Sequence, residues 1–194
     1  MNRTMRYLSV AMLVLGGAAF AQEDGAAPMD MDAMMEAGMA AANPGPQHEM
    51  LAGFAGHWNA EVQMWMVPGG EPMVSEGTVD AEMILGGRVL RETHSASMMG
   101  MPFTGIGHTG YDNISGKYWN AWMDTMGTGL YTTEGSYDEE SGKLTLEGDW
   151  TNPDGTSMHV KLVSWKEGPD RRIFQMWSTI AGQTFQAMEA TYTR

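Results

Sequence analysis

The stretch that decides the fold is Gly110-Tyr111-Asp112-Asn113-Ile114-Ser115-Gly116, followed by Lys117-Tyr118-Trp119-Asn120-Ala121-Trp122-Met123-Asp124. Asn113 to Gly116 has turn chemistry, and aromatic residues are enriched on both sides of it. Aromatic and branched residues suit strands, whereas Asn, Ser and Gly suit turns. The stretch therefore predicts a β-hairpin.

The same pattern repeats from Gly56 to the C-terminus. Trp58, Ala60 and Val62 alternate with polar residues, which is the period of a strand with one buried face. Turn signals follow every 8 to 12 residues or so, giving about ten strands. Each connection is of hairpin length, so we predict an all-β, up-and-down antiparallel barrel, which closes on itself and leaves no exposed edges. About ten strands leave room for a ligand cavity.

The N-terminal quarter of the chain differs in composition. Residues 1–21 combine Arg3 and Arg6, a short apolar run and a small-residue site ending at Ala21, as a secretory signal peptide does. Residues 22–46 are rich in Met, Asp and Ala, which predicts a disordered leader with at most a transient helix. Residues 47–54 predict a short helix that docks on the barrel, so the predicted barrel domain is 47–194.

Composition limits the partners. The 194 residues carry a formal charge of −13, which becomes −15 when Arg3 and Arg6 leave with the signal. Nucleic acid and anionic membrane surfaces are therefore not expected as partners. The mature form is not expected to span a membrane, because the apolar run near the N-terminus is shorter than the about 20 residues that a span needs. The absence of Cys excludes disulfides and a lipid anchor of the N-terminal Cys type. We expect a periplasmic or secreted protein of undetermined oligomeric state.

Two resemblances follow from particular motifs. Gly56-His57-Trp58 is similar to the Gly-x-Trp start of lipocalins and other calycins, in which the Trp packs on a basic residue of the last strand, here Arg194. The chain also resembles the bacterial DUF1579 family, whose function is unknown. That resemblance implies a calycin-like barrel and transfers no catalytic residue. It rests on Leu85-Gly86-Gly87-Arg88, Met99-Gly100-Met101-Pro102-Phe103, Gly107, Gly110-Tyr111-Asp112-Asn113, Trp122-Met123-Asp124-Thr125-Met126-Gly127-Thr128-Gly129 and Glu189-Ala190-Thr191-Tyr192-Thr193-Arg194.

We expect the barrel to bind a small apolar or amphipathic molecule. Trp119 is assigned to the interior because a regular strand places it opposite Trp122, which is assigned to a turn or rim with Asp124. Ionisable residues on both faces of the strand after Arg88 predict a polar anchor, with an internal salt bridge as the alternative. The predicted ligand-binding residues are Tyr111, Trp119, Met123, Arg91, Glu92 and His94.

Other chemistry is open or disfavoured. Gly105-Ile106-Gly107-His108-Thr109-Gly110 matches the dinucleotide fingerprint, but a strand follows it where that fingerprint needs a helix. We interpret these glycines as relief of crowding in a barrel strand. No nucleophile elbow is present, so an enzyme is not assigned and is the less favoured class. No cofactor is predicted, although a single His could bind haem.

Methionine is unusually frequent, with 21 residues, and suggests a second class of function. Thioethers bind Cu(I), so Met98, Met99, Met101 and the leader make envelope copper binding an alternative. The simpler interpretation is that Met fills the core. A third alternative is a barrel with a filled core that acts as an interaction module.

Overall fold

The structure is a computed structural model that describes residues 30–152 and 154–194. Ten antiparallel strands form one closed barrel in which each strand pairs with its neighbours in sequence and β1 pairs with β10. The elements are α1 Met31–Ala42, α2 Pro46–Ala52, β1 Gly56–Met64, β2 Met73–Ile84, β3 Val89–Met98, β4 Met101–Asp112, β5 Lys117–Asp124, β6 Tyr131–Asp138, β7 Lys143–Thr151, β8 Ser157–Lys166, β9 Arg171–Ile180 and β10 Gln183–Thr193.

The predicted barrel is confirmed, and so is the predicted β-hairpin around the turn at residues 113–116. Tyr111 lies opposite Tyr118, and Gly110 lies opposite Trp119. Gly105 and Gly107 lie inside β4, so the glycines of the dinucleotide-like motif belong to a strand as interpreted. The hairpin-length connections explain the topology, because successive short turns can only pair each strand with the next one.

Helix α2 closes one end of the barrel, which we call the closed end. Leu51 is fully buried and Phe54, just after the helix, is 5% exposed. Both pack in the core with Trp58, Tyr118 and other inward-facing residues. The Trp58 indole Nε1 donates to the Phe54 carbonyl oxygen at 3.0 Å, which fixes the helix end to β1. The short docking helix expected at residues 47–54 is therefore present.

Helix α1 occupies residues that the sequence analysis assigned to the leader. None of its residues is buried, and its N-terminus is capped by Asp30, whose carboxylate accepts from two backbone amides. Its C-terminal end is held by two side chains of the barrel. Arg88 donates to the Ala42 oxygen at 2.7 and 3.0 Å, and Asn113 Nδ2 donates to the oxygens of Ala41 and Asn43, both at 2.8 Å.

The predicted signal peptide, residues 1–21, lies outside the described residues. Within residues 30–152 and 154–194, no helix has both the length and the apolar character needed to cross a membrane.

Candidate functional site: the barrel cavity

A cavity of about 430 Å³ occupies the barrel interior. It begins beneath Leu51 and Phe54 at the closed end and extends to the opposite end, which we call the mouth, defined by Met64, Met98 and Met126. Met126 is 51% exposed, so the cavity reaches the protein surface there. Most of the wall is apolar and comes from inward-facing strand residues, including Leu90, Leu144, Leu146, Leu162 and Phe174.

A buried ion pair crosses this apolar interior near the closed end. Arg172 Nη1 of β9 donates to Glu92 Oε1 of β3 at 2.6 Å. The side chains of Arg172 and Glu92 are 6% and 18% exposed. Burial raises the pKa of Glu92, but the charge of Arg172 and its hydrogen bond outweigh burial, so the net pKa is lowered and Glu92 is ionised near neutral pH.

Aromatic rings enclose the Arg172 guanidinium. Its Cζ lies 4.2 Å from the centroid of Tyr192, 5.0 Å from that of Trp58 and 5.8 Å from that of Phe54. Arg172 Nε and Nη2 are buried and have no hydrogen-bond partner among residues 30–152 and 154–194. The faces of aromatic rings attract cations, so this aromatic cage replaces part of the lost hydration of Arg172.

His94 lies beside the ion pair on the same face of β3. Its ring makes edge contacts with Trp122, at 5.0 Å between centroids, and with Tyr192, at 6.3 Å. Burial lowers the pKa of His94, Arg172 lowers it further, and Glu92 opposes both. The imidazole is therefore neutral near pH 7 and offers one acceptor nitrogen and one donor N–H.

Trp122 forms the cavity wall near the mouth, and Asp124 fixes it. The indole Nε1 donates to Asp124 Oδ2 at 2.7 Å, and the backbone N–H of Met126 donates to Asp124 Oδ1 at 2.9 Å. The ring lies against Gly105, where a Cβ would come within 2.3 Å of ring carbon Cζ2. One carboxylate thus holds both the wall residue and the turn at the mouth.

Trp58 and Arg194 complete the closed end. The Arg194 guanidinium Cζ lies 4.0 Å from the centroid of Trp58, and its Nη2 donates to the Ala55 oxygen at 2.6 Å. Gly56, with φ +134°, passes so close that a Cβ there would lie 2.8 Å from Arg194 Nη2. The contact expected from the calycin resemblance is present, with Gly56 making room for the Arg.

Residues 43–194 match the family described as "Protein of unknown function (DUF1579)". The chain belongs to this family. The match begins at Asn43, ahead of the barrel domain that was expected to begin at residue 47. It therefore includes Asn43, whose backbone oxygen accepts a hydrogen bond from Asn113. The family description assigns no activity to this DUF1579 protein.

Among solved structures, a redesigned beta barrel is similar at 14% identity with a TM-score of 0.39, over 76% of this chain and 94% of that one. Curated proteins give no match to the sequence.

The motifs on which the DUF1579 resemblance was based have different structural roles at the two ends of the barrel. Two motifs contain the residues that hold α1: Arg88 ends Gly86-Gly87-Arg88, and Asn113 ends Asp112-Asn113. Asp112 also stabilises its own turn by accepting from the Ile114 amide. Trp122-Met123-Asp124 forms the wall and turn at the mouth. The family signature is therefore divided between the two ends of the barrel.

The predicted site residues of this DUF1579 protein separate into two groups. Glu92 and His94 line the cavity together. Tyr111 also faces inward, but at the closed end, where its ring packs against Tyr118 at 4.8 Å between centroids. The internal salt bridge weighed for Glu92 is present, with Arg172 as its partner.

Tyr111 does not line the cavity, and neither do the other three predicted residues, which face outward. Arg91 pairs with Glu82 on the outer surface, and Met123 is 40% exposed. Trp119 lies over Gly110 on the outer face, and Trp122 takes the interior position. The interior assignment of Trp119 is thus corrected. Strand alternation places Trp119 and Trp122 on opposite faces, but only the tertiary fold decides which face is inside.

Arg172 and Asp124 are the charged lining residues that were not predicted as binding residues. The sequence did contain evidence that Arg172 faces the cavity. It alternates along β9 with the same period as the apolar residues Phe174 and Met176, which face inward. Its partner on β3 is 80 positions away, and no local pattern connects the two.

Met residues form part of the cavity wall. Met188 of β10 lies directly opposite Met64 of β1 on one side and Met176 of β9 on the other, and Met98 and Met126 lie at the mouth. Met99 and Met101 are 71% and 50% exposed. Among residues 30–152 and 154–194, no group of three or more His, Asp or Glu is arranged to hold a metal ion.

Proposed function

We propose that this DUF1579 protein is an exported, non-enzymatic barrel that binds a small apolar or amphipathic molecule in its cavity. The observation that carries the proposal is the cavity of about 430 Å³, with an apolar wall and a few convergent polar groups. Small-molecule sites have this character and volumes of about 300–1,000 Å³. A filled-core interaction module would have no such space.

The Met-rich mouth supports binding of more than one ligand shape. Met side chains are unbranched and flexible, so they adapt to irregular surfaces. Met64, Met98 and Met126 surround the entrance, whereas the wall deeper in the barrel is formed by Leu and aromatic residues. The expected ligand is therefore apolar along the mouth and middle of the cavity, with any polar group near Glu92 and His94.

The export part of the proposal rests on residues 1–21. A signal peptide cleaved after Ala21 predicts a secreted or periplasmic chain that begins at Gln22. Intact-mass measurement of the protein from its own host tests this directly. A chain that retains residues 1–21 would contradict export by a cleaved signal.

The first test of binding is native mass spectrometry of the protein from its own host, beside a denatured sample. A non-covalent extra mass supports a carrier barrel, and haem or copper would be recognised from that mass. If the native mass is that of the polypeptide alone, the protein is titrated with apolar molecules and Trp fluorescence reports their binding. No uptake in either experiment would contradict the proposal.

The two tryptophans of β5 supply a matched control for the titration. Trp122 lines the cavity and Trp119 lies outside. Trp122→Phe is expected to remove most of the fluorescence response, and Trp119→Phe to preserve it. Ala96→Phe, which fills the cavity, should abolish uptake, whereas Ser97→Phe on the exposed side of β3 should not. Equal responses in both members of each pair would contradict binding in the cavity.

The in-register methionines support a second candidate function, Cu(I) binding. Met64, Met188 and Met176 bring three thioethers to neighbouring positions on one wall, and directly opposite residues have Cβ atoms about 5 Å apart. Thioethers are soft ligands that select Cu(I). Stoichiometric Cu(I) uptake that Met188→Leu removes and Met123→Leu preserves would support it. If neither the unsubstituted protein nor Met123→Leu takes up Cu(I), the copper function is wrong.

A further inference from the structure

We propose that the cavity selects ligands whose polar head donates hydrogen bonds, with an alkylammonium group bound most tightly, over ligands that end in a carboxylate. This inference rests on the proposed function. It specifies the chemical class of the ligand from the charges and hydrogen-bonding atoms that the lining presents.

The charged residues of the lining carry a net negative charge. Glu92 and Asp124 supply two carboxylates, and Arg172 supplies one cation. Burial keeps His94 neutral near pH 7. The lining therefore has one negative charge in excess, in an interior where charges are less screened than in water.

Arg172 is not available to a ligand carboxylate. Its Nη1 is bound to Glu92, and its Nε and Nη2 are buried within the aromatic cage of Phe54, Trp58 and Tyr192. A guanidinium binds a carboxylate best through two parallel N–H groups, and neither remaining edge is open. A carboxylate entering the cavity would meet the negative charges without a free cation.

Several polar atoms of the lining can accept hydrogen bonds from a ligand, beside the hydroxyls of Ser75, Ser164 and Tyr192, which can donate as well as accept. Glu92 uses Oε1 for Arg172, and Oε2 accepts no hydrogen bond from the described residues, although the side chain remains 18% exposed. Asn120 uses Nδ2 to donate to Thr109 Oγ1 at 3.0 Å and to the His108 oxygen at 3.3 Å, which leaves its Oδ1 as an acceptor. His94 adds one ring nitrogen.

An ammonium head satisfies these atoms and the excess charge together. It carries three N–H donors and one positive charge, so it can donate to Glu92 Oε2 while its alkyl chain lies along the apolar wall toward the mouth. An alcohol supplies one donor without the charge. Affinity is therefore expected to fall from amine to alcohol to carboxylate.

Three ligands with one chain length test this order: decylamine, 1-decanol and decanoate, titrated at pH 7 below their micelle-forming concentrations. We expect decylamine to bind at least about tenfold more tightly than decanoate, with 1-decanol between them. Glu92→Gln should reduce the preference for the amine severalfold. Glu82→Gln, the same change in the outer partner of Arg91, should leave it unchanged.

Asp124→Asn provides a second variant should Glu92→Gln fail to fold. It removes the other lining carboxylate and should also reduce the preference for the amine. Equal binding of all three ligands, or tighter binding of decanoate, would overturn the inference while leaving the carrier function standing. Failure of all three to bind, together with a bare native mass, would overturn both.

Discussion

Glu92 and Arg172 meet across the inside of the barrel, with 2.6 Å between Oε1 and Nη1, although three strands separate them around the wall. The intervening strands are β2, β1 and β10, so no backbone pairing joins β3 to β9. The ion pair thus connects β3 and β9, which face each other across the cavity. It also provides the polar groups beside which a ligand head would lie.

Removal of one partner should destabilise the barrel strongly. Glu92→Ala leaves Arg172 buried without its counterion, and breaking a buried pair costs about 3–5 kcal/mol. Glu82→Ala, which breaks the exposed pair with Arg91, should cost less than about 1 kcal/mol. Urea unfolding of both variants measures the difference. Equal losses would mean that the buried pair does not stabilise the fold.

Stability should fall with acidification from about pH 6.5 because of His94. Burial holds its folded pKa below the ordinary value of 6.5, so the unfolded chain binds the proton first. The stability is fully present above pH 6.5 and is lost as the pH falls toward the folded pKa. Glu92, Arg172, Tyr192 and Trp122 surround the ring.

His94→Phe keeps a ring at this position and removes the titration. Urea midpoints measured between pH 7.5 and 5 should therefore decline less steeply in His94→Phe than in the unsubstituted protein. His57→Phe serves as the control, because His57 is exposed and pairs with Asp80 on the surface. A decline of the same slope in His94→Phe would rule out His94 as its source.

The features of this fold that could be predicted from the sequence are those set by neighbouring residues. Alternation and turn residues are properties of neighbouring positions, and they were sufficient for ten strands in meander order. Trp58 and Arg194 were paired through the calycin resemblance, and the structure has them in contact. Glu92 and His94 were selected because this strand has ionisable residues on both faces, so at least one of them was expected to face the interior.

The failures concern choices that depend on distant parts of the chain. The pattern on β5 placed Trp119 and Trp122 on opposite faces, yet Ala121 and Met123 made the face of Trp119 look more apolar than the face that Trp122 shares with Asn120 and Asp124. The decisive observation is that Gly105 leaves space for the Trp122 ring. The partner of Glu92 was equally hidden, because Arg172 lies on β9 and reaches Glu92 only after the barrel closes.

The connection between α1 and the barrel should depend on two side chains. Arg88→Ala and Asn113→Ala remove the donors to Ala41, Ala42 and Asn43, and each should cost about 1 kcal/mol. The double variant should expose residues 30–43 to limited proteolysis while the barrel resists it. Arg91→Ala is the matched control on the outer surface. Unchanged cleavage in the double variant would show that other contacts hold α1.

The cavity wall near the mouth should tolerate an added methyl group at Gly107 but not at Gly105. A Cβ on Gly105 would lie 2.3 Å from the Trp122 ring, whereas one on Gly107 would lie 3.4 Å away. Gly105→Ala should therefore displace the indole, break its bond to Asp124 and cost about 1–3 kcal/mol, as overpacking does. Gly107→Ala should be nearly neutral. Near-ultraviolet circular dichroism and urea unfolding measure both effects, and equal behaviour would disprove the close packing.

The role of Gly56 can be separated into backbone and contact effects by a double-mutant cycle with Arg194. Its φ of +134° disfavours any side chain, and a Cβ would also press on the guanidinium that packs against Trp58. Gly56→Ala should cost about 1–3 kcal/mol in unfolding free energy, of which the backbone part persists in any background. In Arg194→Ala the collision is absent, so the same substitution should cost at least about 0.5 kcal/mol less. Equal costs in both backgrounds would assign the need for glycine to backbone conformation alone, and the Gly-x-Trp motif would then not serve to seat Arg194.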